Sequence, residues 1–133
     1  AVITDKAGLS LYEGDVLIVQ GTLQIKAETV EIKSQNKNVV KIIARSGMGS
    51  KKLAKFKQML KTGGGEIFAE ARQISYLVQE GKLLLNGQAK LEQSKDVFSG
   101  EMLFYDIGKG IVNLESGSSK ERVNMTISPK ESP

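Results

Sequence analysis

The chain has 133 residues, a formal net charge of +4, and neither cysteine nor histidine. That length supports one domain burying about two thirds of its unfolded surface, and the missing residue types exclude disulfides, thiolate metal sites and the usual general base. No apolar run approaches the roughly 20 residues that a membrane-spanning helix requires, and the charge is that of a mildly basic protein.

In chain order, residues 1–8 are polar and end in the turn-like DKAG. They show no charged n-region followed by an apolar h-region, so any export signal is expected to have been removed or omitted. Leu9, Leu11 and Val2 suggest a strand beginning or ending nearby. Glu13-Gly14-Asp15 reads as a turn or a glycine bulge. Residues 16–19 are apolar on both faces, which suits a strand covered on both sides. Gln20-Gly21 then interrupts the pattern before a longer strand, and residues 34–38 form a polar turn leading to Val39, Val40, Ile42 and Ile43.

The stretch 12–32 is stated again further along. Gly14, Ile18 and Gln20 recur as Gly87, Leu91 and Gln93 at one constant offset. At the same offset Ile25, Ala27, Glu28, Val30 and Ile32 recur as Phe98, Gly100, Glu101, Leu103 and Tyr105. A partial third copy places Ala69, Ala71, Ile74 and Tyr76 in the same roles. Each copy alternates apolar and polar residues, slips by one position, and alternates again. Alternation with period two describes a strand with one buried face, and a slip keeps that face only if the chain bends or bulges there. The small residue at the slip fits a corner with little room. Three strand–turn–strand units of one spacing, with fourteen glycines and two prolines, point to an antiparallel all-β domain.

Residues 51–61, KKLAKFKQMLK, admit two readings. As an amphipathic helix they place Leu53, Phe56 and Leu60 on one stripe, and residues 45–65 carry six positive side chains and no acid, as a membrane-surface helix would. As a strand they place Ala54, Phe56 and Gln58 on one face and Lys55, Lys57 and Met59 on the other, with lysines that blunt an exposed edge. The strand is the preferred reading. Gly47-Met48-Gly49-Ser50-Lys51 has phosphate-loop residue types without G-x-x-x-x-G-K-[ST] spacing or a β/α context. Residues 62–65 read as a flexible turn. No arrangement of nucleophile, base and orienting group is visible, so catalysis is not expected.

With these elements in place, Leu11-Tyr12-Glu13-Gly14-Asp15-Val16 followed by Gln20-Gly21-Thr22-Leu23-Gln24-Ile25-Lys26-Ala27-Glu28 resembles the LptA/OstA family of periplasmic lipopolysaccharide carriers. The family's pattern is f-x-G-[ND]-V and then x-Q-G-x-x-x-I-x-A-[DE]. Lys52-x-Ala54-x-Phe56-x-Gln58, Ala71-x-x-Ile74-x-Tyr76, Leu85-x-Gly87-x-Ala89-x-Leu91-x-Gln93 and Phe98-x-Gly100-Glu101-x-Leu103-x-Tyr105 continue the likeness in one register from about Leu9 to Pro129. The resemblance places residues 52–58 on a strand. It implies a single domain over residues 1–133, an open antiparallel β jelly roll of two folded-over sheets around a hydrophobic groove.

The resemblance further implies a non-enzymatic carrier, located in the periplasm, with no cofactor and no metal. Its groove would hold the acyl chains of lipid A, leaving the anionic head at the opening. The implied partners are lipopolysaccharide, related jelly-roll domains of the inner- and outer-membrane transport components, and further copies of the chain stacked head to tail through a final strand at 122–128. By motif position Phe56, Tyr76 and Val78 correspond to groove-facing, lipid-contacting residues of the family. Ile25, Val30, Ile32, Ile74, Phe98, Leu103 and Tyr105 join them by alternation alone, with an ordinary core role as the competing reading. One departure is that residues 1–10 supply no convincing copy of the family's opening apolar–polar–apolar strand. A basic β-domain binding nucleic acid or another polyanion through residues 45–61 is the alternative function. Phe56 is the one aromatic among those lysines, which is thin for base stacking.

Overall fold

The computed structural model describes residues 2–6, 8–47, 49, 51–59, 65–115 and 124–126. Eleven strands run in chain order: β1 (Val2–Lys6), β2 (Leu9–Gln20), β3 (Leu23–Gln35), β4 (Asn38–Arg45), β5 (Ala54–Met59), β6 (Glu66–Ala71), β7 (Gln73–Leu77), β8 (Lys82–Gln93), β9 (Asp96–Asp106), β10 (Ile111–Glu115) and β11 (Asn124–Thr126). Every pairing is antiparallel. The 51–61 stretch forms the strand β5, with Ala54 and Phe56 fully buried on one face and Met59 half exposed on the other. Leu60, Lys61 and the turn expected after them fall outside the described residues, up to Gly65, as do Met48 and Ser50 of the phosphate-loop reading.

The long strands change neighbours halfway, and this folds one hydrogen-bonded network into two layers. Residues 29–35 of β3 pair with β4, whereas residues 24–26 pair with β5. In β8, residues 82–86 pair with β7 and residues 90–93 with those of β6. One layer therefore runs β1, the first half of β2, the second half of β3, β4, β7, the first half of β8, the second half of β9, and β10. The other layer holds the remaining halves with β5, β6 and β11. The three repeated hairpin turns all lie at the end of the first layer. In the β3–β4 turn both Asn36 and Lys37 adopt positive φ (52° and 69°), as a tight hairpin with right-handed strand twist requires.

The corners occur at the sequence slips. Against β3, β2 loses register between Glu13 and Val16, so Gly14 and Asp15 together face the single residue Glu28. Against β9, β8 does the same between Asn86 and Ala89, where Gly87 and Gln88 face Glu101. These are β-bulges, and each sharpens the bend of its strand. Both residues of each bulge have positive φ, at 95° and 51° in the first and 87° and 51° in the second. Gly87 also lacks room for a side chain, since a Cβ there would sit 3.0 Å from the Cβ of Arg72. The adjoining corners are tied by backbone bonds: Arg72 N–H donates to Gly87 O at 2.8 Å and Ser46 N–H to Arg72 O at 2.9 Å. Glu28 accepts the N–H of Gly47, which fastens the loop between β4 and β5 to the same corner.

Two expectations need correction. The opening residues do form a strand: β1 pairs with β2 from Val2 opposite Glu13 to Lys6 opposite Leu9. An edge strand is held by backbone bonds on one side and needs little apolar patterning, which explains its weak sequence signal. Residues 16–19 are not covered on both faces. Leu17 and Val19 are each 58% exposed, because this half of β2 is the outermost strand of its layer and nothing among the described residues lies over it. The final strand is described only as residues 124–126, paired with β9 from Asn124 opposite Ser99 to Thr126 opposite Val97; the rest of 122–128 lies outside the described residues.

Candidate functional site

The faces that the two layers turn toward each other are apolar across nearly the whole molecule. In the first layer Ile32, Ile42, Tyr76, Leu83, Tyr105 and Val112 are consecutive cross-strand neighbours. Nearer the corner a parallel row holds Tyr12, Val30, Ala44, Ile74, Leu85 and Leu103. The second layer opposes them with Ile18, Ile25, Phe56, Ala69, Leu91 and Phe98. At its corner it carries small residues, with Ala54 opposite Ala71 and Ala89 opposite Gly100. Small side chains let the layers converge there, while the large rings lie farther out. The interior is a wedge that widens away from the bends.

All ten residues singled out from the sequence border this wedge. Ile25, Val30, Phe56, Ile74, Tyr76, Phe98, Leu103 and Tyr105 are buried, whereas Ile32 and Val78 are half-buried and pack against the same cluster. Val78 sits just past β7, where its N–H donates to Val40 O at 3.1 Å. Phe56 and Tyr76 meet across the layers edge to face, with ring centroids 5.2 Å apart and an interplanar angle of 72°, a favoured aromatic geometry. Ile42, Ile67, Leu83, Leu85 and Leu91 line the same space without having been singled out. The repeat held the signal for three of them, because Leu83, Leu85 and Leu91 alternate onto one face once the bulge at Gly87 is counted.

Few polar groups enter the interior. Burial raises the Tyr76 phenol. Burial first, and then the negative charge of Asp106, push Tyr105 up to about 12. Both rings therefore stay neutral at physiological pH and keep their O–H as donors. Tyr105 uses its own on Gln93 Oε1 at 2.8 Å. Gln93 and Gln58 flank Ile67 in one row of the second layer. Among the described residues, Gln58 Oε1 is a buried side-chain acceptor with no hydrogen-bond donor.

The charged residues lie elsewhere. A concavity of about 720 Å³ opens on the outer side of the corner, lined by Asp15, Lys26, Glu28, Lys51, Lys52, Lys55 and Glu70 among others. It mixes both signs and stands apart from the aromatic rings of the interior. The basic stretch is divided by the fold. Arg45 pairs with Glu31 at 3.4 Å on the first layer. Lys57 pairs with Glu66 at 3.6 Å and lies 5.6 Å over the Phe68 ring on the second. Lys55 stands in register between Lys26 and Glu70. Phe56 points inward, away from these lysines. Such an arrangement offers a polyanion neither a single-signed face nor an interleaved stacking platform.

Comparison with known proteins agrees with this architecture. The family model described as LptA/(LptD N-terminal domain) LPS transport protein matches residues 1–111. The lipopolysaccharide export system protein LptH of Pseudomonas aeruginosa is 29% identical over 137 residues, covering 98% of this chain and 76% of that protein. The crystal structure of LptH, the LptA homologous periplasmic component of the conserved lipopolysaccharide transport device from that organism, matches with a TM-score of 0.76 at 30% identity, over 92% of this chain and 85% of that one. The fold is accordingly an open antiparallel β jelly roll, and the chain belongs to the family of LptA and LptD N-terminal-domain lipopolysaccharide transport proteins.

Proposed function

We propose that the chain is a non-enzymatic carrier that moves lipopolysaccharide through the periplasm, holding its acyl chains between the two layers. The observation that carries this reading is the pair of facing apolar rows, Ile32 to Val112 and Ile18 to Phe98, which run without a charged residue from β3 to β10 in one layer and from β2 to β9 in the other. A core needs only a compact cluster, whereas a long acyl chain needs a continuous apolar track. Each methylene that leaves water for such a track contributes about 0.8 kcal/mol. The sugar-phosphate head would remain in solvent at the wide side of the wedge.

Phe56 is fully buried and Tyr76 is 8% exposed, so the two layers meet over these rings. Loading requires the layers to part on the side away from the corners, which the bulges tie together. Val78 and Tyr76 lie toward that side on the first layer, and Phe56 faces Tyr76 behind Gln58 and Ile67 on the second, so an entering chain would reach all three. The edges at both ends of the layers that have no pairing strand among the described residues would pair with related jelly-roll domains of the membrane components, or with further copies head to tail, and extend the track without a break. Photo-crosslinking residues placed at 56, 76 and 78 should capture lipopolysaccharide strongly. Capture no stronger than at exposed Lys33 refutes the reading.

A further inference from the structure

Gln58 is out of keeping with the face on which it lies. On β5 it follows Ala54 and Phe56 on the inward side, and its cross-strand neighbour Ile67 is fully buried. Its Oε1 is shielded from solvent and, among the described residues, meets no donor. Buried acceptors without donors are rare and costly in folded proteins. The contrast with Gln93 is informative, because that carboxamide lies one strand beyond Ile67 in the same row and is satisfied by the Tyr105 hydroxyl. The protein supplies a partner for one of the two amides and, among the described residues, none for the oxygen of the other.

We infer that Gln58 is a specificity-determining residue whose carboxamide oxygen accepts a hydrogen bond from a donor carried by the acyl ligand itself. The inference rests on the carrier reading above and refines its substrate class. The donor must be neutral, since nothing charged lines the apolar rows and a desolvated ammonium would need a counter-charge. It must also lie next to hydrocarbon, because Gln58 adjoins Phe56 and Ile67. Two chemistries meet both conditions: a hydroxyl on the acyl chain, or an amide N–H at its root. A plain ester-linked chain offers neither and would leave Oε1 unsatisfied in the complex as it is in the free protein.

Three neutral probes separate these cases: methyl tetradecanoate, methyl 3-hydroxytetradecanoate and N-methyl tetradecanamide, each titrated as a competitor of a fluorescent apolar dye. The wild-type chain should bind at least one donor-bearing probe about tenfold more tightly than the plain ester, and the stronger of the two identifies the hydroxyl or the amide. In Gln58→Met, which keeps the length of the side chain and removes the acceptor, that preference should fall to about onefold. Without ligand, Gln58→Met should melt a few degrees higher than wild type, because the unsatisfied group is gone. A lower melting temperature shows that the acceptor is already satisfied in the free protein and overturns the inference. So does an equal preference in both proteins. If wild type binds all three probes alike, the carrier reading stands and Gln58 has no such role; if it binds none, both fall.

Discussion

The pair β2–β3 and the pair β8–β9 are one unit placed in two surroundings. Their registers coincide position by position: Ile18 opposes Ile25 as Leu91 opposes Phe98, and Tyr12 opposes Val30 as Leu85 opposes Leu103. Both bend at a two-residue bulge of positive φ. Their burial differs. Leu85 and Leu91 are fully buried, but Tyr12 and Ile18 are only partly so: β8 is interior to both layers, whereas among the described residues only the edge strand β1 lies beyond Tyr12 and no strand lies beyond Ile18. Local sequence thus dictates the bend, and neighbours dictate how much each bent strand contributes. The outward faces differ in an unexpected sense. The central copy carries Lys90 and Glu92, an ion pair of 3.1 Å. The edge copy carries Leu17 and Val19 at the same positions.

The largest expected effect tests the burial half of this comparison. Leu91→Ala should cost about 3 kcal/mol, the usual loss for a fully buried leucine in a close-packed interior. The matched change Ile18→Ala should cost about 1 kcal/mol, since part of that side chain is already in water. Urea unfolding of the monomer measures both. Equal losses would mean that the edge copy is as well covered as the central one.

Much of this architecture was legible because its determinants are local. The slips at Gly14 and Gly87, the small residues beside them and the polar turn at Asn36-Lys37 each force a conformation through a few neighbouring residues. Strands whose place depends on distant partners were harder to see. β1 has little apolar patterning and is defined by its pairing with β2. The exposure of Leu17 and Val19 follows from the lack of a neighbour, which no local pattern records. Alternation also gives the same signal for a core residue and for a groove residue, since both point inward and are apolar. That is why alternation places Phe56 and Gln58 on one face of their strand, and Ile74 and Tyr76 on one face of theirs, without assigning any of them a ligand. On the outer side of the first layer, Ile43 and Ser75 are each 6% exposed. Apolar runs such as Val39-Val40-Lys41-Ile42-Ile43 supply both faces at once, so period two cannot rank one above the other.

A smaller effect concerns Tyr105, which stands where the edge copy has Ile32. Its hydroxyl is the polar atom that distinguishes the two copies at this row, so Tyr105→Phe makes them more alike. Losing the bond to Gln93 should cost about 1 kcal/mol near neutral pH. The pH dependence has a definite sign. The folded-state value, about 12, lies above the ordinary 10.0 of a tyrosine. The contribution of the neutral phenol is therefore fully present below about pH 10 and is lost as pH rises toward 12. Tyr105→Phe should flatten the stability curve in that window and leave a residual slope from Tyr76, whose value is also raised. A variant as steep as wild type between pH 10 and 12 would show that Tyr105 does not titrate there.

The smallest effect on the monomer is the most informative about assembly. Exposed edge strands normally carry charge or proline so that they do not template pairing with another chain. Here the protected, central copy has the charges, and the open edge has Leu17 and Val19 on its outer face. That inversion is sensible if a partner strand adds to residues 16–20 and covers them, as in β-augmentation. Exchanging the two faces by Leu17→Lys with Val19→Glu gives the edge the pair its sister copy already tolerates. Both positions are mostly solvated, so monomer stability should change by no more than about 0.5 kcal/mol. Self-association should fall sharply, because a heterologous contact that does not close grows with concentration and is sensitive to one charged rung. Light scattering over a concentration series reads this directly, with melting temperature as the check on folding. Growth as strong as that of wild type would show that copies do not join through this edge, and would move the search for the partner-binding strand to the opposite end, at β10 and β11.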